Sequence, residues 1–376
     1  MDLIKYFRFI DKYIGSALVF LLQIFVSQKK IKDKKQKKNI AVIRLWTLGE
    51  SLLTLPMIKK LKEEKCIVTI FVTKRSKWVF EHSSYVDKVI LIQNPFMLLG
   101  AFRKYDVAID TEPYLTISSL IAWFVGKRTI GFKGLYREKL YSFPIRYNDR
   151  KHSVLNFCDL LKPLDILCKP TELVAIHYDI NSKTIIEKLL EKLSLKDKKL
   201  AGIHAGTAET AIWRSWSKDK FAKLIDKLIL QGYTVLLTGA PHESKKNQEI
   251  IELTETENKD KIIDFAGRTN LSELSYLMKK FDVFVSNDTG PMHLSAAMGT
   301  HTVGLFGPNL PERFRPFGKG NFAVYKARDM PCSPCINVHK GEFGKCEDNG
   351  ACMDKITVED VMDAVKKVTK NENTSA

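Results

Sequence analysis

From Asn39 onward, short apolar runs alternate with stretches whose apolar residues recur at helical spacing. The runs IAVIRLW (40–46), IVTIFV (67–72), KVILI (88–92) and DVAID (106–110) read as strands, with helices near 51–64 and 115–126. Strand and helix in regular succession is the rhythm of a parallel sheet covered on its faces. After a lysine-rich helical stretch around 181–198 the rhythm restarts. KLAGIHA (199–205), YTVLLTG (233–239), KIIDFA (261–266), FDVFVS (281–286) and HTVGLFG (301–307) are the strands, and helices fall near 217–231, 243–257 and 271–280. A last helix near 357–370 opens at Thr357 with Asp360 three residues on, a reciprocal cap. Val358, Val361, Met362, Val365 and Val368 occupy its apolar positions. The pattern predicts an α/β fold of two doubly wound domains, 39–180 and 181–356, followed by a C-terminal helix and tail over 357–376.

Residues 1–38 stand outside that rhythm. YIGSALVFLLQIFV (13–26) is an apolar run of 14 residues, whereas a bilayer span takes ~20. Extending the run back to Ile4 would bury Lys5, Arg8, Asp11 and Lys12, each costing roughly 2–3 kcal/mol at mid-membrane. Read as a helix, the segment aligns Ile4, Phe7, Ile14, Leu18, Leu21 and Phe25 in one stripe, and seven lysines follow between Lys29 and Lys38. An apolar stripe beside a polybasic run supplies the two signals that stable peripheral binding to anionic lipid requires. A docked structural helix and a true span are the alternatives. A signal peptide fits less well, because no small-x-small site follows Val26 and the lysines oppose translocation.

Composition narrows the class without naming a ligand. A chain of 376 residues, 45% hydrophobic and 27% charged, is long enough for two cores and is neither collagen-like, nor wholly disordered, nor a multi-span membrane protein. Residues 1–38 carry ten Lys and Arg against three Asp, so +7 of the net +17 sits there and +10 in the remainder. Such a balance suits phosphates, sugar nucleotides, acidic lipids or nucleic acid.

Open α/β domains bind ligands at the carboxyl ends of their strands, so candidate chemistry is sought there. SNDTGPMHLSAAMGT (286–300) follows FDVFVS: Asp288, Thr289 and Gly290 form a polar turn, Pro291 suits a first helical turn, and His293 lies within it. A helix start of this kind offers N–H groups and a dipole to phosphate. A helix cap beside a packed histidine explains the same residues. In HAGTAETAIWRSWSKDKF (204–221), Gly206 and Thr207 open a loop and Arg214 sits between Trp213 and Trp216. A guanidinium held between aromatics can grip a diphosphate bidentately, or can simply be packing. Glu243 in GAPHES (239–244) can accept from ribose hydroxyls or merely favour a first helical turn. Glu50 in RLWTLGESLLTLP (44–56) has the form of a general base at a strand end, and equally of a dipole-stabilising acid.

Together, LGESLLTLP, HAGT with WRSW, GAPHE and SNDTGPMHLSAAMGTHTVGLFGP resemble the ADP-heptose:lipopolysaccharide heptosyltransferase family, glycosyltransferase family 9, over roughly residues 39–370. The resemblance implies a GT-B fold, two Rossmann-like domains facing across a cleft, and inverting, metal-independent transfer from a nucleotide-diphosphate sugar. The donor implied is ADP-linked heptose, the acceptor the lipopolysaccharide core or a related anionic glycolipid. Position by position, Glu50 stands where the family's acceptor-activating acid lies, more often Asp. Arg214 matches its diphosphate-gripping cation, and Thr207 its phosphate loop. Asp288, Thr289, Gly290 and His293 match the donor-binding turn, Glu243 a ribose contact and Thr269 the base pocket. The departing diphosphate would be held by Arg214 and the helix start at Thr289 and Gly290. The basic residues Arg128, Lys133, Arg137 and Lys151 could meet the acceptor, though each also suits a solvated surface. An enzyme of this kind is expected in the cytoplasm, peripherally bound to the inner membrane.

The resemblance implies that no cofactor is required for catalysis. Cys332, Cys335, Cys346 and Cys352, spaced CSPC-x10-C-x5-C, could close a structural zinc site, stay as packed thiols or form disulfides, while Cys66, Cys158 and Cys168 read as core thiols. A nucleotide-sugar epimerase on the same fold, or a non-catalytic basic protein binding nucleotide or nucleic acid, are the rival functions. The membrane-like N-terminus argues against the epimerase. The chain shows neither a helix-turn-helix signal nor basic strands interleaved with aromatics, which argues against nucleic acid.

Overall fold

The computed structural model describes residues 3–26, 38–207, 209–344 and 346–370. It divides into two compact units. One is the chain up to Pro170 with Asn337–Phe343; the other is Thr171–Ile336 with the chain from Gly344 on. The sequence pattern put the change of domain at 180/181.

Unit one holds helix α1 (Leu3–Leu22), then β1 (Asn39–Arg44), α2 (Leu48–Glu63), β2 (Ile67–Val72), α3 (Lys74–Glu81), β3 (Lys88–Leu91), β4 (Val107–Asp110), α4 (Thr116–Val125), β5 (Thr129–Lys133), β6 (Phe143–Arg146) and α5 (Ser153–Asp159). Its sheet runs β3-β2-β1-β4-β5-β6 with neighbours parallel. β1 stops at Arg44, two residues short of the apolar run, because the Leu45 and Trp46 N–H groups leave the sheet and donate to the Glu112 carboxylate at 2.7 and 2.9 Å. Strands β5 and β6 had no counterpart in the sequence reading. β6 contains Pro144 and lies half exposed at the sheet edge, where a missing N–H is tolerated.

Unit two repeats the plan. It holds α6 (Ile180–Lys192), β7 (Lys199–His204), α7 (Lys218–Leu230), β8 (Tyr233–Leu237), α8 (Ser244–Glu252), β9 (Ile262–Asp264), α9 (Leu271–Met278), β10 (Val283–Asn287), α10 (Gly290–Ala297), β11 (Thr302–Phe306) and β12 (Phe322–Tyr325). Its sheet is ordered β12-β11-β10-β7-β8-β9, again parallel. The expected Thr357 cap is present: Asp360 N–H donates to Thr357 Oγ1 at 3.1 Å, and Thr357 N–H donates back to the Asp360 carboxylate at 3.0 Å. The C-terminal helix Val358–Lys370 buries its five predicted apolar residues in the unit-two core beside Trp216, Phe221 and Leu228. Both sheets have the Rossmann strand order, whose direction reverses between the first and fourth strands.

α1 docks on unit one by a face other than its apolar stripe. Leu115, the N-cap of α4, supplies no side-chain cap. Asp11 caps instead, accepting from Thr116 N–H at 2.8 Å and Ile117 N–H at 2.7 Å. One turn on, Gly15 lies so close to Thr116 that a Cβ would meet its Cγ2 at 2.8 Å, and one turn further Val19 is buried. Ile14, Leu18, Leu21 and Phe25 are exposed. The side chains of Ile4 and Phe7, most of the lysine run and residues 371–376 lie outside the described residues. No helix among the described residues is long and apolar enough to cross a membrane.

Candidate functional site

In unit two the predicted residues collect where β7 and β10 end side by side. Asn287, fully buried at the end of β10, ties the two loops together: its amide donates to the Ala205 and Gly206 carbonyls at 3.0 and 3.2 Å, and its carbonyl accepts from Trp216 N–H at 3.1 Å. Sequence reasoning passed over it, although it stands inside the SNDTG turn. Trp216 is core, with its indole N–H donating to the Ile356 carbonyl at 3.0 Å. Arg214 is therefore not sandwiched between indoles as the W-R-S-W spacing suggested. Its Nη2 pairs with the Asp288 carboxylate at 2.6 Å and donates to the Asp288 carbonyl at 2.7 Å. Its buried Nε has no hydrogen-bond partner. Asp288 accepts further from Asn309 Nδ2 at 2.9 Å.

The helix that follows begins without a side-chain cap. Thr289 occupies the N-cap position of α10 but turns its hydroxyl to Ser286 Oγ and the Asn287 carbonyl, and Pro291 sits in the first turn. His293 is 4% exposed and its Nδ1 has no partner. Burial takes its imidazole down to about 4, with the nearby Arg214 charge adding and Asp288 opposing. It is neutral near pH 7.

Thr207 and Glu243 line an open depression of about 850 Å³ on unit two, together with Gly206, Trp213, Ser215 and Lys246. Glu243 accepts from Ala240 N–H at 2.7 Å, so it does support the helix start, while its other oxygen faces Gly206 and lies 4.0 Å from His204 Nε2. Lys246, not singled out from the sequence, donates to the Ala205 carbonyl and Ser215 Oγ, both at 2.7 Å, and burial lowers its ammonium pKa. Thr269 is half buried in the loop whose Gly267 N–H bonds the Gly239 carbonyl at 2.9 Å, beside the Glu243 turn.

In unit one, Glu50 sits in the first turn of α2 and keeps 15% of its side chain exposed. It accepts from Arg44 Nη2 at 2.6 Å and from Thr47 Oγ1 at 3.0 Å. Arg44 is fully buried; its Nη1 donates to the Thr111 carbonyl at 3.0 Å and its Nε lies 3.6 Å from Glu112. Burial pushes the Arg44 pKa down, and Glu112 with Glu50 more than reverses it. Sequence reasoning missed Arg44 and Glu112; the available signal was an Arg closing an apolar strand and an acid two residues past Asp110. Arg137 is a correction: it is buried, paired with Asp110 at 3.1 Å, and cannot meet a ligand at the surface. Lys151 is half buried and paired with Asp159 at 2.5 Å.

All seven cysteines are free thiols. Burial first, then Cys335 and Cys346 nearby, pushes the Cys352 thiol up to about 11. Among the described residues no group of three or more His, Cys, Asp or Glu is arranged to hold a metal ion.

The arrangement in unit two, free donors at a helix start beside a guanidinium, suits a phosphate-bearing ligand, and the carboxylate in unit one suits proton transfer. Known proteins agree in kind. Over 301 residues the chain is 25% identical to lipooligosaccharide heptosyltransferase 2 of Haemophilus influenzae, covering 74% of this chain and 86% of that one. Its fold is like that of a glycosyl transferase family 9 crystal structure from Veillonella parvula, with TM-score 0.73, 20% identity, and 92% of this chain and 100% of the other covered. It is also like the Escherichia coli ADP-heptose LPS heptosyltransferase II, with TM-score 0.67, 20% identity, and coverage of 89% and 99%. Residues 100–343 match the family model described as glycosyltransferase family 9 (heptosyltransferase), and with two Rossmann-like domains of GT-B type behind that match, the chain belongs to this family.

Proposed function

We propose that the protein is an inverting glycosyltransferase that moves heptose from ADP-heptose to a hydroxyl of the lipopolysaccharide core or a related anionic glycolipid, without a metal cofactor. The observation that carries this reading is the Arg214–Asp288 pair at the uncapped start of α10. A guanidinium with an unpartnered Nε and a helix N-terminus supply the positive charge that a departing diphosphate needs. Thr207 contacts phosphate from the facing loop, Glu243 accepts from the ribose and Thr269 borders the base. His293, neutral and in the first turn, donates to the diphosphate as a hydrogen-bond donor and not as a charge. Glu50 takes the acceptor hydroxyl's proton as that oxygen attacks the anomeric carbon. One bond forms at that carbon as the bond to the diphosphate oxygen breaks, and the configuration inverts.

The acceptor's lipid gives the exposed α1 stripe a purpose: the enzyme works at the cytoplasmic face of the inner membrane, held there by that stripe and the adjoining lysines. The relative's name, an ADP-heptose LPS heptosyltransferase, supports both the donor and the acceptor class.

The test is calorimetric titration with ADP, UDP, GDP and CDP, with EDTA present, on the wild type and Arg214→Ala. ADP should bind alone among them and weaken tenfold or more in the variant, since a charge-assisted contact is worth roughly 1.5–3 kcal/mol. Glu50→Gln should keep that ADP affinity while losing turnover. A folded chain that binds no nucleotide overturns the donor site.

A further inference from the structure

We propose that Glu112 is a positioning residue for Glu50, holding it through Arg44 and through the backbone that leads into α2. The inference rests on the reading of Glu50 as the base. Glu112 lies just past β4 and is fully buried. One of its oxygens does three things at once: it accepts from Leu45 N–H at 2.7 Å and from Trp46 N–H at 2.9 Å, and it lies 3.6 Å from Arg44 Nε. Arg44 in turn reaches Glu50 at 2.6 Å. The next residue, Thr47, is not a glycine yet has φ of +48°, an unfavourable conformation that surrounding contacts must hold. Glu112 pins the residues before that turn, and Glu50 with Ser51 pins those after it, through Thr47 Oγ1 and the Thr47 carbonyl. The other Glu112 oxygen has no hydrogen-bond partner. A carboxylate buried with one oxygen unsatisfied is a costly way to fix a loop, and an amide would accept the same two N–H bonds. What the amide lacks is the charge that shares Arg44 with Glu50.

The groups facing Glu112 are Arg44 and Glu50 from the β1 side, Asp110 at the end of β4, and Arg137 and Tyr141, which adjoin Asp110 and also act on Glu112, Arg137 donating to its backbone carbonyl; Tyr114 acts on Arg44. Burial first, then Glu50 and Asp110, pushes Glu112 up to about 7, against the pull of Arg44. Without the Glu112 charge, Arg44 acts on Glu50 alone. The guanidinium is then free to leave its place between the two acids, and the carboxylate it holds moves with it.

The experiment is Glu112→Gln, read by kcat against pH with donor KM recorded separately. Expected are a kcat lowered about tenfold, an altered pH profile and an unchanged donor KM. A folded variant with the wild-type kcat and pH profile overturns the proposal. Glu50→Gln, at a partly exposed position, gives the reciprocal reading if the buried substitution does not fold. With carboxyl-labelled glutamate, the Glu112 titration followed by NMR should move down once its like-charged neighbour is gone, and an unmoved titration overturns the coupling. That readout needs no turnover, so absence of transfer by the wild type would count against the reaction alone.

Discussion

An imidazole held down to about 4 by burial makes His293 a source of acid sensitivity. Its folded pKa lies below the unfolded value of about 6.5, so between those values the unfolded chain binds more protons and stability drops as the pH is lowered. The His293 contribution is complete above pH 6.5 and is lost progressively down to 4. Between pH 7 and 5 the wild type should lose about 2 kcal/mol more unfolding free energy than His293→Gln, measured by urea melts at each pH. Equal losses would mean the ring is protonated in the fold. Glu112 contributes with the opposite sign, stabilising below its unfolded pKa and losing that contribution as pH rises toward 7, which is why the variant difference is the quantity to read. Both effects were invisible in the sequence for the same reason. His293 stands in a recognisable motif, but its neutrality comes from burial; Arg44 and Glu112 are 68 positions apart and meet only because β1 pairs with β4.

That pairing is the link from residues to elements. Arg44 closes β1, Glu50 and Glu112 follow the ends of β1 and β4, and Thr207 and Asp288 follow the ends of β7 and β10. In each sheet those are the first and fourth strands, flanking the point where strand order reverses and where such sheets bind ligands. Strand ends were therefore legible, because apolar runs of 4–6 residues mark β1, β2, β7 and β10 clearly. Strands β5, β6 and β12 were not: β6 and β12 are half-exposed edge strands, β6 carries a proline, and β5 is a short run interrupted by Gly131. Gly206, just past β7, tests whether strand-end geometry sets affinity. A Cβ there would stand 1.7 Å from Glu243 Oε1 and 3.0 Å from the His204 ring. Glu243 is the mobile partner, so Gly206→Ala should swing it off Ala240 N–H and leave the core intact. ADP affinity should drop about tenfold, roughly 1.4 kcal/mol, while the melting temperature moves little. An unchanged affinity would show that neither Gly206 nor Glu243 touches the nucleotide.

For the molecule as a whole, charge and apolar exposure concentrate at the same end of the sequence. Residues 1–38 hold +7 of the +17, and Ile14, Leu18 and Leu21 of α1 and Phe25 just past it are exposed, while Asp11, Gly15 and Val19 make the docked contacts. The neighbouring loop exposes Phe96, Leu99 and Phe102, and Arg103 joins it to the turn after α1 by donating to the Phe25 carbonyl at 3.5 Å. A helix docked by one face and bare along its apolar stripe is suited to a lipid surface, where each fully buried large side chain gains roughly 1.5–3 kcal/mol and each lysine near anionic headgroups about 1 kcal/mol. The protein should therefore sediment with vesicles of phosphatidylglycerol and phosphatidylethanolamine and far less with neutral phosphatidylcholine. Raising salt from 0.1 to 1 M shortens the Debye length from about 10 to about 3 Å and should remove the electrostatic part alone. Changing Leu18, Leu21 and Phe25 together to Ser should lower binding to the anionic vesicles at least tenfold at low salt. The melting temperature should hold, since the docked face is untouched. Undiminished binding by that triple variant would assign membrane attraction to the lysines only, and the exposed stripe would need another partner.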